Sequence, residues 1–165
     1  MANVSSVLQS KPKSESIGTG LDEAARAKIA ASLQSILGST YRLLVKTQIH
    51  HWNVVGPLFH PIHLLTEQHY EDLFAAVDTI AERIRALGHP TEAPQIGTEK
   101  TKVAEMSAHE LLADLVADHE ALCREMREVA AAAEEVDDIV TNDMLVARLT
   151  FHEKAIWMLR AMLAN

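Results

Sequence analysis

Glycine and proline fall into a few tight groups in this chain and leave long runs nearly free of both. Helices require such runs, because proline removes a backbone donor and glycine adds conformational freedom. Pro12, Gly18 and Gly20 form the first group and Gly56, Pro57 and Pro61 the second. Gly88, Pro90 and Pro94 form the third, and Gly97 is the last of either type. Between the groups, apolar residues recur at helical spacing. Leu33, Leu37 and Leu44 mark one stripe, and Leu73, Val77, Ile80, Ile84 and Leu87 mark a stronger one.

The spacing predicts four helices. The first starts at Thr19 and Asp22 and runs to about Val54. The second runs from about Pro61, with proline in its first turn, to Leu87, where Gly88 and Pro90 stop it. Ser107 and Glu110 form a capping box for the third, about residues 108–135. The fourth begins at Asp137 and Asp138 and reaches the C-terminus. The connection over 89–106 is long for a bundle and suits a crossover between parallel neighbours, with room for a short helix. The expected fold is therefore all-α: a flexible tail over 1–18, then a four-helix bundle over 19–165.

Composition agrees. Apolar residues are 48% and aromatics only 4% of the 165 residues, which suits helices better than a sandwich or barrel. No run of 18 apolar residues exists, and the N-terminus lacks the apolar region of a secretory signal. The single cysteine, Cys123, cannot form an internal disulfide and reads as a small packing residue, so a cytoplasmic location is expected. A net charge of −8 argues against binding nucleic acid by bulk electrostatics and suits the handling of cations. Nine histidines are a first hint of metal chemistry.

The second predicted helix carries two adjoining faces. With His63 set at 0°, Glu67 falls at about 40°, Asp78 at about 60° and Glu82 at about 100°, while the Leu73–Leu87 stripe lies on the other side. Phe74 and Ala81 share the acidic face, so it is not purely a charged row. The plain reading of this row is a solvated face, and of His63 a polar residue near a helix start. The other reading is a metal centre, since imidazole and carboxylate together suit iron(II). His63/Glu67 and Asp78/Glu82 are each i,i+4 pairs, but the pairs stand about 22 Å apart along one helix. Paired metals sit about 4 Å apart. If all four residues serve one centre, this helix must meet its own copy antiparallel across a two-fold axis, giving two equivalent sites per dimer. His51 lies on the first helix's stripe with Leu44 and Leu37, and His50 lies equally well on one with Leu43 and Ile36, so periodicity does not choose between them. No histidine is preceded three positions earlier by Asp or Glu, so a Glu-x-x-His di-iron site inside one bundle is unsupported.

Residues 46–88, KTQIHHWNVVGPLFHPIHLLTEQHYEDLFAAVDTIAERIRALG, resemble the signature region of the Dps family of ferritin-like proteins. The matching elements are His51-Trp52-Asn53, Gly56-Pro57, Phe59, His63, Asp78, Ala81-Glu82-Arg83 and Leu87-Gly88. His152-Glu153-Lys154 and Trp157 to Arg160 resemble the family's last helix. The resemblance covers roughly residues 20–163. It implies a ferritin-like bundle assembled from two-fold dimers into a hollow dodecamer. It also implies a ferroxidase centre between subunits, holding iron at two positions: His51, His63 and Glu67 from one subunit, Asp78 and Glu82 from its mate. Position 67 is usually Asp in the family, so Glu67 keeps the carboxylate on a longer arm. Trp52 resembles a tryptophan that takes up an oxidising equivalent. His50 and His60 are extra imidazoles, expected in an outer shell or on the surface.

The implied function is oxidation of iron(II) by hydrogen peroxide, or dioxygen, and storage of the ferric mineral. The acidic residues Glu120, Glu125 and Glu128 of the third helix are either a solvated face or the lining of an entry pore. The alternative function is DNA compaction with the metal site secondary, which would place the protein with the nucleoid. Its carriers would be Lys11 and Lys13 in the tail, set against Glu15. A third reading is a bundle without redox work, a scaffold or zinc binder.

Overall fold

The computed structural model describes residues 13–92, 94 and 106–164. Helices α1 (Glu23–Asn53), α2 (Phe59–Ala86), α3 (Ala108–Glu134) and α4 (Ile139–Leu163) make up the fold, with no strand among the described residues. The expected short helix falls within 89–106, most of which lies outside the described residues.

Local chemistry sets the helix ends. Asp22 caps α1 by accepting from the Ala25 amide at 2.7 Å, so α1 opens after Asp22 rather than at Thr19. α2 begins at Phe59, two residues before the expected Pro61. The Ser107–Glu110 capping box is present at the start of α3. Asp138 caps α4 through the Thr141 amide at 3.0 Å. Gly88, with φ +89, ends the turn after α2, and a Cβ there would lie 2.5 Å from the Glu15 carbonyl oxygen.

α1 packs on α2, α3 on α4, and α1 on α3, with a lighter contact between α2 and α4. The expected stripes face inward: Leu33, Leu37 and Leu44 of α1 and Leu73, Val77, Ile80 and Ile84 of α2 are all buried. Leu112, Leu115, Met126, Leu145 and Leu159 complete the core from α3 and α4. Each such side chain contributes about 1.5–3 kcal/mol by leaving water. Cys123 is buried on α3, as expected of a packing residue.

Two arginines fasten the ends. Arg83 of α2 donates to Asp138 at 2.6 Å and to Thr141 at 2.9 Å, tying α2 to the start of α4. Buried Arg26 donates to the Leu87 carbonyl at 2.9 Å and the Glu15 carbonyl at 3.3 Å. Of the segment expected to be a tail, residues 1–12 lie outside the described residues. The described part is anchored rather than free, because the Glu15 amide donates to the Gly88 carbonyl at 2.7 Å. Lys11 is likewise outside the described residues, and Lys13 is exposed.

Candidate metal centre

The turn from α1 to α2 creates the site. α1 ends two residues after His51, Gly56 turns the chain with φ +91, and α2 places His63 in its second turn. The two imidazoles then stack, with centroids 3.7 Å apart and planes 16° from parallel. His51 Nδ1–H donates to the His63 carbonyl at 2.9 Å, and His63 Nδ1–H donates to the His51 carbonyl at 3.0 Å. A carbonyl can only accept, so each Nδ1 must carry its hydrogen. In the neutral ring, the lone pair is therefore on Nε2. The backbone thus fixes both tautomers, the kind of support that groups give around metal-ligating histidines in general.

Aromatic rings brace this pair on both sides. Phe59 stacks on His63 with centroids 5.0 Å apart, and Tyr70 meets His51 edge-on at 5.2 Å. The Tyr70 hydroxyl donates to Glu67 Oε1 at 3.4 Å, a long bond. Its own ionisation is pushed up, first by desolvation and then by the carboxylates of Glu67 and Glu71. Thr66 is buried and donates to the Ile62 carbonyl at 2.7 Å. One chain thus gathers His51, His63, Glu67 and Tyr70 at one end of the α1–α2 hairpin.

Asp78 and Glu82 are exposed, farther along α2. Phe74 shares their face and is 67% exposed, while the Leu73–Leu87 stripe is buried. The two-faced helix expected from the sequence is therefore present. Among the described residues, no three His, Cys, Asp or Glu side chains of a single chain form a metal-holding group. Trp52, also 67% exposed, lies next to His51 in sequence.

The remaining residues singled out by the sequence divide. His60 is exposed. His50 is not a surface residue: it is buried on the α3 side of α1's last turn, with Nε2 2.8 Å from Asp114. Lys46 joins the same cluster, 3.0 Å from Asp114 and 2.6 Å from Asp118. Burial pushes His50 below the usual imidazole range. Burial pulls the Asp114 carboxyl upward, but hydrogen bonds from His50 and Lys46 outweigh it and hold it low. On α3, Glu120 pairs with Arg160, and Glu125 accepts from Ser35 at 2.5 Å and Ser39 at 3.0 Å. Glu128 is exposed.

Sequence reasoning gave no place in the core to three histidines, His69, His119 and His152, all buried in the bundle. Each occupies a stripe position where a leucine would serve: His69 four residues before Leu73, His119 four after Leu115, His152 seven before Leu159. A polar residue at such a position was the available signal.

Comparison with known proteins places these features. Residues 30–165 match the family model described as a ferritin-like domain. A DNA protection during starvation protein of Brevibacillus brevis is 34% identical, over 82% of this chain and 94% of that protein. An uncharacterized low temperature-induced protein of Nostoc is 40% identical, over 88% of this chain and 85% of that protein. Among solved structures, DpsC from Streptomyces coelicolor superposes with TM-score 0.86 at 25% identity, covering 96% of both chains. A Dps protein from Bacillus brevis superposes with TM-score 0.79 at 32% identity, covering 86% of this chain and 98% of that one.

Proposed function

This chain belongs to the Dps family of ferritin-like proteins, and from that membership we propose that it oxidises iron(II) at centres shared between two copies of itself. His51, His63 and Glu67 of one copy and Asp78 and Glu82 of the other form each centre. The products are stored as ferric mineral in a dodecameric cage. The observation that carries this reading is the stacked His51–His63 pair, whose Nδ1 atoms are both engaged by backbone carbonyls. Two Nε2 lone pairs are thereby prepared in one place, and Tyr70, edge-on to His51, reaches the Glu67 carboxylate.

Iron is the substrate, and its chemistry suits these ligands. Imidazole nitrogen and carboxylate oxygen hold iron(II) while leaving positions open for an oxidant. One chain supplies too few donors at either end of α2, and a two-fold axis brings the ends together. Phe74 on the acidic face is an apolar group for that contact to cover. Two iron(II) ions give one electron each to hydrogen peroxide, which with two protons becomes two molecules of water. No single-electron reduction of peroxide is then needed, so hydroxyl radical is not produced.

The test is direct. Iron(II) added anaerobically, followed by peroxide, should give rapid ferric absorbance in the native protein and little in a His51→Ala/His63→Ala variant. Equal rates in the two would remove the assignment. DNA compaction is the second reading, favoured by the name that several relatives bear. The charge of −8 on each chain opposes it, because phosphates repel a negative surface. A gel shift at low salt that disappears when residues 1–18 are removed would support it.

A further inference from the structure

His119 of α3 and His152 of α4 meet inside the bundle, fully buried, Nδ1 to Nδ1 at 2.8 Å. Two hydrogens cannot occupy that contact, so the neutral pair shares a single N–H···N bond. One ring is then the Nδ1–H tautomer and the other the Nε2–H tautomer. Both Nε2 atoms are buried without a protein partner. The pair therefore leaves one N–H and one lone pair unmatched, an arrangement that calls for an explanation.

The surroundings offer nothing to balance a positive charge. His69 of α2 lies edge-on to His119, with centroids 5.6 Å apart, and Phe151 of α4 packs against all three rings. Arg148 of α4 lies over Phe151 at 4.6 Å, and its positive charge bears on both His119 and His152. Asp72 of α2 is already taken by Arg148 at 2.6 Å. Among the described residues, no charged group of α1 acts on either ring. The same positive charge, with no three ligands around a common point, also makes this a poor home for a cation. Burial first, then the neighbouring imidazoles and Arg148, push His119 down to about 3 and His152 down to about 2.

We propose that the His119–His152 pair is an acid-sensitive latch between α3 and α4, closed while both rings are neutral and released by proton uptake. A first proton on an Nε2 keeps the N–H···N bond but places a cation beside Arg148. A second proton sets two N–H groups against each other, and the bond is lost. In the unfolded chain both rings titrate near the ordinary value of about 6.5. The folded values lie below that, so the latch costs nothing above about pH 6.5 and stability falls as the pH drops beneath it. Down to the folded values, each ring raises the unfolding equilibrium constant about tenfold per pH unit, and the pair about 100-fold.

Urea unfolding of the full-length assembly at pH 7.5, 6.0 and 5.0 tests this, comparing the native chain with a His119→Leu/His152→Leu variant. The ratio of native to variant unfolding constants should rise about 100-fold per pH unit below pH 6. A ratio that stays constant with pH would overturn the latch. Should the double variant not fold, His152→Gln serves instead. Its carbonyl oxygen can accept from His119 Nδ1–H, and one titrating ring is gone, so the ratio should rise about tenfold per unit. Nitrogen NMR of the native assembly at pH 5 gives an independent readout: neutral rings for both residues are expected, and imidazolium signals would contradict the proposal. Neither ring is a partner of His51, His63 or Glu67, so peroxide-driven iron oxidation at pH 7.5 should be unchanged in these variants.

Discussion

Two pairs of histidines in this chain are close in space and opposite in design. His51 and His63 stack, and each gives its Nδ1 hydrogen to the other's backbone carbonyl. His119 and His152 meet end to end and share one hydrogen between them. A carbonyl partner settles the tautomer and turns a lone pair outward, where a metal can use it. An imidazole partner leaves the tautomers ambiguous and strands nitrogen atoms in the core. Residue type is the same in both pairs, and the rings are neighbours in each, with centroids 3.7 Å apart in the first and 5.0 Å in the second. The identity of the hydrogen-bond partner makes one pair ready for a ligand and the other a liability in acid.

The largest expected effect separates the pairs by activity. His51→Ala/His63→Ala should slow peroxide-driven iron oxidation by at least about 100-fold, since even supporting groups around metal ligands cost 10–100-fold. Stopped-flow ferric absorbance at pH 7.5 measures it. His119→Leu/His152→Leu should leave that rate as it is, and a comparable loss there would break the comparison. A middle-sized effect sharpens the picture of the His51–His63 pair. Glu67→Gln keeps the shape and removes the charge, so iron(II) affinity should fall by roughly tenfold, read by anaerobic titration.

The sequence carried the helices well and the pairs unevenly. The Ser107–Glu110 box and the Gly88 stop are local chemistry, and both stand where expected. Thr19 misled because Asp22 is the better-placed cap, accepting from Ala25. His50 and His51 were indistinguishable by periodicity because α1's last turn is covered on two sides. α2 covers it at His51 and α3 covers it at His50, through Asp114. The i,i+4 spacing put His63, Glu67, Asp78 and Glu82 on one face of α2, and none of the four is in the core. Nothing in a wheel reveals a carbonyl partner, so the tautomers of His51 and His63 were not legible. His69 and His119 passed unnoticed, and His152 was read only as part of the last helix's resemblance, because all three keep the rhythm of the leucines around them.

The smallest effect belongs to Tyr70. Its hydroxyl reaches Glu67 only at 3.4 Å, so Tyr70→Phe should lower the oxidation rate by about two- to threefold, in line with a weak hydrogen bond. A loss as large as that of the histidine variant would make Tyr70 a principal residue of the centre.

Mixing two inactive variants tests the central claim most directly. His51→Ala/His63→Ala chains keep Asp78 and Glu82, and Asp78→Ala/Glu82→Ala chains keep both histidines. Dissociated, mixed in equal amounts and reassembled, half the two-fold pairs should be hybrids, each with one intact centre of its two. Iron oxidation should return to about a quarter of the native rate. If each chain builds its centre alone, the mixture will stay as inactive as its components.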